Sequence, residues 1–219
     1  MTDLKKILEN YFSNSQPYNK KERRYSSLIL GLRDARLITN RNVDSGEVTF
    51  EIPAPLMPNS WAGSIVYLIV LELIGTCFKK KINSASDNNA IYSAIINFSN
   101  LTDEEARAIE SLRHSFAHNY GLINIQKNRK TDKIISNRTH NFLLTADPNG
   151  EVVTQRRAVW DGEYESINSK NTTRINIWKL GDLVEEIYQN LVSENNKSNI
   201  ELILEKGIEE LKAKYTVII

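Results

Sequence analysis

Residues 102–121 read TDEEARAIESLRHSFAHNYG, and this stretch decides how the rest of the chain is interpreted. Thr102 with Glu105 three positions later is a capping-box pattern, and the acidic residues that follow Thr102 favour the positive end of a helix dipole. Apolar residues then recur at helical spacing, at Ala106, Ile109, Leu112 and Phe116. The stretch therefore predicts an amphipathic helix whose opposite side carries Arg107, Ser111, His114 and His118.

The second half of this helix carries the residue types that proton-transfer chemistry needs. All three histidines of the chain, His114, His118 and His140, fall within residues 114–140. A histidine titrates near neutral pH and can take a proton from a hydroxyl group, while a guanidinium such as that of Arg113 can hold a phosphoryl oxygen. RNA supplies its own nucleophile, the 2′-hydroxyl, so its cleavage needs neither metal nor cofactor. The sequence has no metal-ligand motif and no glycine-rich phosphate loop, and we expect no cofactor.

The spacing of Arg113 and His118 resembles the R-x4-6-H motif of the HEPN superfamily. Members are helical, usually dimeric proteins, and many are metal-independent ribonucleases of toxin, antiphage and RNA-processing systems. A polar residue typically follows the arginine, as His114 does here. One toxin subgroup extends the motif to R-x4-H-x-Y, which Tyr120 completes.

The resemblance implies a ribonuclease site built across the twofold axis of a homodimer. His118 would be the general acid or base, Arg113 would stabilise the phosphate, and His114 would assist. Tyr120 would be a substrate contact or a modification target, because in the toxin subgroup a nucleotidyltransferase antitoxin modifies this tyrosine.

Structural roles for the same residues stay open. Arg113 is equally suited to an interhelical salt bridge, His118 to a contact with the helix dipole, and Tyr120 to packing. In that case the chain would be a non-catalytic HEPN-like dimeric module for a nucleotide or protein partner, with Arg113 buried against a carboxylate such as Glu72. Positions 113 and 118 lie about 140° apart on an ideal helix. They converge if the helix frays near His118, if the arginine reaches round, or if a partner completes the site.

Local charge supports an RNA partner. Residues 113–140 hold six lysines and arginines against one aspartate, a local charge of +5 in a chain whose net charge is +1. Lys127, Arg129 and Lys130 are the candidate RNA-binding residues, since cationic side chains neutralise backbone phosphates. The alternative is an ordinary solvated loop.

The remaining patterns predict a mainly α fold, an HEPN-like helical bundle forming a single domain over 1–219. Helices are expected over 2–12, 20–38, 61–78, 90–98 and 199–215, with another beginning at Asp182. A small antiparallel β elaboration is expected over 141–178, from strands at 141–145, 152–160 and 174–178. Trp160, Tyr164 and Trp178 would form its core or stack RNA bases.

Residues 61–78 are mostly apolar and about the length of a short membrane span, but Glu72 lies near their middle. An unpaired carboxylate there would be costly in a bilayer, so a buried central helix is the favoured interpretation and no membrane partner is expected. The start of the chain lacks the apolar run of a signal peptide. The single Cys77 excludes an intrachain disulfide, and a reducing cytoplasm fits.

Overall fold

The computed structural model describes residues 4–13, 24–48, 61–82, 89–119 and 121–218. In chain order its elements are α1 (Leu4–Tyr11), β1 (Arg24–Ser26), α2 (Ser27–Ile38), α3 (Trp61–Cys77), β2 (Phe78–Lys80), α4 (Ala90–Phe98), α5 (Asp103–Asn119), β3 (Ile123–Asn124), β4 (His140–Thr145), β5 (Val153–Thr154), β6 (Thr172–Asn176), α6 (Ile177–Asn196), β7 (Ile200–Leu202), α7 (Gly207–Lys214) and β8 (Thr216–Ile218). Short 3-10 helices cover Ser136–Arg138 and Tyr164–Ser166. The predicted mainly α class with a β elaboration is confirmed.

The chain divides into two compact units. The first unit combines residues 1–100 with 184–219, and the second unit is residues 101–183. A single domain over 1–219 stays a prediction.

Helix α3 is the central element of the first unit and packs against both α2 and α4. Leu68, Leu71 and Ile74 are at most 1% exposed, so the predicted buried central helix is confirmed. Within the described residues, no helix combines the length and apolar character that crossing a bilayer requires. Two antiparallel strand pairs, β1 with β8 and β2 with β7, join the end of the chain to its first part.

The second unit contains a four-stranded sheet in the order β3-β4-β6-β5. The predicted antiparallel pairing is confirmed for β5 with β6, but it is wrong for the central pair. Strand β3, which the sequence did not predict, is antiparallel to β4. Strands β4 and β6 are parallel, with Leu144 opposite Ile175. The physical reason is that β6 inserts between β4 and β5. Both β4 and β6 then run opposite to β5.

Several further boundaries differ from the sequence prediction. The helix predicted over 20–38 is, among the described residues, helical only from Ser27, because residues 24–26 pair with β8, and the helix predicted to begin at Asp182 begins at Ile177. The predicted helix over 199–215 is wrong at its start, because residues 200–202 pair with β2 and only Gly207–Lys214 is helical. Trp178 lies in the first turn of α6 and not in a strand. Trp160 lies beyond β5 in a loop, where it is fully buried and its indole N–H donates to the carbonyl oxygen of Glu163 at 3.0 Å. Trp160 is therefore a core residue and is not available for stacking bases.

Candidate functional site

Helix α5 is the scaffold of the predicted site, and its beginning forms as the sequence predicts. The backbone N–H of Thr102 donates to the Glu105 carboxylate at 2.8 Å, and the backbone N–H of Glu105 donates to the Thr102 hydroxyl at 3.3 Å. These reciprocal bonds are the predicted capping box, and they satisfy backbone donors that a helix start otherwise leaves without partners. The start of the helix is thereby fixed in position.

The apolar side of α5 is confirmed, since Ala106, Ile109, Leu112 and Phe116 are at most 2% exposed. Burial extends further round the helix than predicted. Ser111 is 3% exposed, although its position was expected on the polar side. Small side chains explain the difference, because Ala108 and Ser115 flank it and leave room for close packing. Within the second unit, α5 packs on β3, β4 and β5.

The predicted catalytic residues lie on the last turns of this helix. Arg113 is half-buried and His114 is exposed. The backbone remains helical at His118 and ends its helix at Asn119, so fraying before His118 does not occur. The His118 side chain and Tyr120 lie outside the described residues. Between positions 113 and 118 the helix turns by about 140°. Two ways to bring these side chains together remain: the arginine reaches round the helix, or a second copy of the chain completes the site.

The candidate RNA-binding residues occupy an exposed hairpin that follows β3. Lys127 and Ile134 form an antiparallel bridge, and the Asn128 side chain accepts backbone N–H bonds from Lys130 at 2.9 Å and Thr131 at 3.2 Å. Lys127, Arg129 and Lys130 are all exposed. The Lys127 ammonium lies 3.6 Å from the carboxylate of Asp132. The turn is therefore built by local hydrogen bonds and presents its cations to solvent. We name residues 127–133 the basic hairpin.

His140, the histidine outside the motif, is a structural residue. It is 3% exposed, its Nδ1 lies 3.0 Å from the Thr173 hydroxyl, and its Nε2 lies 3.2 Å from the carbonyl oxygen of Asn137. Since a carbonyl oxygen only accepts, Nε2 carries the proton and Nδ1 accepts from the threonine. Burial, together with the charge of Arg156, lowers the pKa of His140 to about 4. The ring is neutral at physiological pH.

Sequence reasoning missed a polar cavity at the other end of α5. It has a volume of about 270 Å³ and lies between the first turns of α5, the 3-10 helix Ser136–Arg138 and the segment 155–159 that follows β5. Arg156 and Arg157 line it. The adjacent Gln155-Arg156-Arg157 triplet could have been noted as a basic cluster. Only the fold brings it opposite the acidic beginning of α5.

No group of three or more His, Cys, Asp or Glu side chains in the described part of the chain is arranged to hold a metal ion. Comparison of the chain with protein-family models, with curated proteins and with solved structures gives no match. The likeness to HEPN proteins thus rests on the motif residues themselves.

Proposed function

We propose that this protein is a metal-independent RNA endonuclease of the HEPN type, with His118 as general acid or base and Arg113 as the phosphate-stabilising residue. The observation that carries the proposal is the position of the Arg-His motif on the final turns of α5. That helix is fixed at its start by a capping box and packed along its apolar side. A rigid element holds functional groups more accurately than a loop does.

The chemistry requires only groups of the kind that the motif supplies. A base removes the proton of the 2′-hydroxyl, and the 2′-oxygen attacks the adjacent phosphorus while the bond to the 5′-oxygen breaks. An acid returns a proton to that leaving oxygen. The products are a 2′,3′-cyclic phosphate and a 5′-hydroxyl. The guanidinium of Arg113 neutralises charge that develops on the phosphoryl oxygens.

Two copies of the chain would form the working enzyme. An arginine and a histidine separated by about 140° on one helix do not face the same point, and a twofold dimer brings equivalent residues of two helices together. In such a homodimer His114, which is exposed on the same turns, would assist His118. The helical part of the protein would then be an HEPN-like bundle carrying the mixed sheet as its elaboration.

RNA would be guided by the basic hairpin. Its exposed cations Lys127, Arg129 and Lys130 are suited to sequence-independent contacts with phosphates. By resemblance to the toxin subgroup, Tyr120 is proposed as a modification target of a nucleotidyltransferase antitoxin, in a toxin or antiphage system of the cytoplasm.

The test is cleavage of a panel of single-stranded and structured RNAs with EDTA present. Purified wild type is compared with His118→Ala, Arg113→Ala and Arg113→Lys at matched folding. Arg174→Ala is the control, because Arg174 is an exposed arginine on β6 of the same unit. We expect losses of on the order of a hundredfold or more in the first two variants, a partial loss in Arg113→Lys, and wild-type cleavage in the control.

A 2′,3′-cyclic phosphate on the wild-type product would establish the mechanism. If wild type is inert on every RNA, or if both alanine variants cleave as well as wild type, the ribonuclease proposal is wrong. RNA or nucleotide binding without cleavage would instead support the non-catalytic binding module.

A further inference from the structure

The two faces of the sheet in the second unit have different surroundings. His140 of β4 lines the cavity at the first turns of α5, so its side of the sheet is the one that packs on that helix. Side chains alternate between the two faces along a strand. Leu143, three positions later, therefore lies on the opposite face, where it is 47% exposed. We name this opposite face the outer face.

Strand register places several side chains of the outer face next to one another. Leu143 lies opposite Arg174, and in the neighbouring row Asn141 lies between Ile123 and Thr172. Neighbouring strands are about 4.8 Å apart, so a row that crosses from β3 through β4 to β6 spans about 10 Å. Regular strands thus hold aliphatic groups and one guanidinium within reach of a single small ligand.

A groove with a volume of about 450 Å³ lies on the outer face. The side chain of Ile123 and the loop at 167–169 belong to its lining, as do Leu143 and Arg174. Leu143 and Ile167 are 47% and 40% exposed, which is unusual for aliphatic side chains that share one groove. Arg174 is exposed and is the one charged residue in the lining that the structure describes.

Most polar side chains of the groove are already bonded within the protein. The side-chain amide of Asn141 donates to the carbonyl oxygen of Asn171 at 3.0 Å, and the hydroxyl of Thr172 donates to that of Asn168 at 2.7 Å. The Asn168 side chain is bonded within its own loop. The guanidinium of Arg174, in contrast, forms no hydrogen bond or ion pair with the described residues. The groove therefore offers apolar contact and one available cation.

These properties define the chemistry of a complementary ligand. A guanidinium pairs best with a planar anion such as a carboxylate, and one guanidinium balances its single charge. A phosphate monoester, with about 1.5 to 2 negative charges, would leave charge uncompensated. Phe142, the one aromatic residue in the described lining, is 6% exposed, so the groove has no ring face on which a nucleobase could stack. An aliphatic body fits its surface better.

We propose that the groove on the outer face binds a medium-chain aliphatic carboxylate. The carboxylate pairs with Arg174, and the chain lies over Leu143 and against Ile167. The span of about 10 Å across the three strands is comparable with the length of an octanoyl chain, and the groove volume accommodates it. Because the sheet separates the groove from α5, this site is distinct from the Arg-His motif, and the inference goes beyond the proposed ribonuclease function.

The experiment measures binding of octanoate to the full chain by isothermal titration calorimetry, below the concentration at which octanoate forms micelles. Hexanoate and decanoate vary the chain length, while octanol and octylamine remove or reverse the charge. We expect the affinity to rise by up to about fourfold for each methylene that the groove buries. Octanoate should bind at least about tenfold more tightly than octylamine. Changes in backbone amide chemical shifts during the titration should centre on β4 and β6.

Two substitutions separate a binding role from a structural one. Arg174→Glu should reverse the charge preference, so that octylamine binds more tightly than octanoate, a result that general loss of structure does not produce. Ile167→Asn should weaken octanoate binding by about tenfold, roughly the effect of two buried methylenes. Ile203→Asn is the matched control, because Ile203 is also 40% exposed but lies in the first unit, and it should leave the affinity unchanged.

Absence of saturable octanoate binding, equal affinity for octanoate and octylamine, or wild-type charge preference in Arg174→Glu would each overturn the inference. Equal effects of Ile167→Asn and Ile203→Asn would do the same, since they would indicate nonspecific adsorption of the chain. RNA cleavage without octanoate binding would refute this site and leave the ribonuclease standing. Octanoate binding by a chain that cleaves no RNA would refute the ribonuclease and leave the site standing.

Discussion

The guanidinium of Arg36 meets the carboxylate of Glu185 in a two-point contact, with Nε to Oε1 at 2.9 Å and Nη2 to Oε2 at 2.7 Å. The Arg36 side chain is 0% exposed and that of Glu185 is 12% exposed. Nη1 donates to the carbonyl oxygens of Val43 and Asp44, and the Tyr67 hydroxyl donates to Glu185 at 3.0 Å. Burial is the largest single influence and lowers the pKa of Arg36, but the hydrogen bond and charge of Glu185, with smaller contributions from Tyr188 and Tyr67, make the net shift upward. This network ties α2, α3 and α6 together in the first unit.

Breaking this pair from one side should destabilise the first unit strongly. Arg36→Met leaves a buried carboxylate without its cation, and Glu185→Gln leaves a buried guanidinium without its anion. Each substitution should lower the free energy of unfolding by about 3–5 kcal/mol. Urea unfolding followed by circular dichroism measures this free energy. Lys197→Ala, which breaks the exposed pair with Glu194, is the control and should cost about 0–1 kcal/mol. A cost for Arg36→Met no larger than that of the control would contradict the network's structural role.

Close contact between α3 and α4 should make Gly75 intolerant of any side chain. A Cβ at this position would lie 1.7 Å from the carbonyl oxygen of Ala90, which is backbone and has little freedom to move away. Gly75→Ala should therefore lower the free energy of unfolding by about 3 kcal/mol or more, which is at or beyond the upper end of the usual cost of overpacking a core.

Gly31→Ala is the matched control for this measurement. Its Cβ would meet only a methyl group of Val70 at 3.2 Å, and alanine favours a helix over glycine by about 1 kcal/mol. We expect Gly31→Ala to change the free energy of unfolding, measured by thermal or urea denaturation, by about 1 kcal/mol or less. Equal effects of the two substitutions would show that the helices do not approach each other as closely as described.

Buried His140 should make the stability of the second unit depend on pH. Its folded pKa of about 4 lies below the ordinary histidine value of 6.5, so its neutral form favours the fold above about pH 6.5. That contribution is lost as the pH falls from 6.5 towards 4, because the unfolded chain binds the proton first. Between pH 7 and pH 5 the loss should be about 2 kcal/mol.

His140→Gln removes the titrating group and should flatten this part of the pH profile, while lowering stability at pH 7. The measurement is urea unfolding of both proteins at pH 7 and pH 5, with the fluorescence of buried Trp160 as the probe. An unchanged pH dependence in the variant would mean that His140 is not the group responsible.

Charge in the basic hairpin should appear in the salt dependence of RNA binding. Replacing Lys127, Arg129 and Lys130 together by glutamine should weaken RNA binding. The slope of log affinity against log salt should decrease in magnitude by up to about 2, because each phosphate contact on a single strand contributes about 0.7 and up to three contacts are lost. The matched control replaces Lys197, Lys206 and Lys212, which are exposed in the first unit. Equal slopes for wild type and the hairpin variant would exclude these cations from the RNA interface.

Much of the helical framework could be predicted from local patterns. The capping box at Thr102 and Glu105 forms as expected, and the apolar spacing of 106, 109, 112 and 116 corresponds to a buried side. Helix α4 begins and ends where predicted. Each of these features depends on residues within one or two turns of each other. A short window of sequence contains the physical cause.

The sheet and the cavity could not be predicted in this way. The position of β6 between β4 and β5 depends on pairing between residues that are far apart in the sequence, such as Leu144 and Ile175, about thirty positions apart. The cavity joins the beginning of α5 to residues more than fifty positions later, Gln155 to Arg157. Neither relationship leaves a periodic signal in the sequence.

The sequence by itself determined the helix that carries Arg113 and His118, the chemistry these residue types permit, and the concentration of positive charge after them. Capping, helical periodicity and side-chain pKa are properties of neighbouring residues or of single side chains. Only the tertiary structure decided which groups are buried and which long-range partners they have. It neutralised His140, paired Arg36 with Glu185, and placed Gln155 opposite the start of α5, because burial and pairing arise from packing between distant segments.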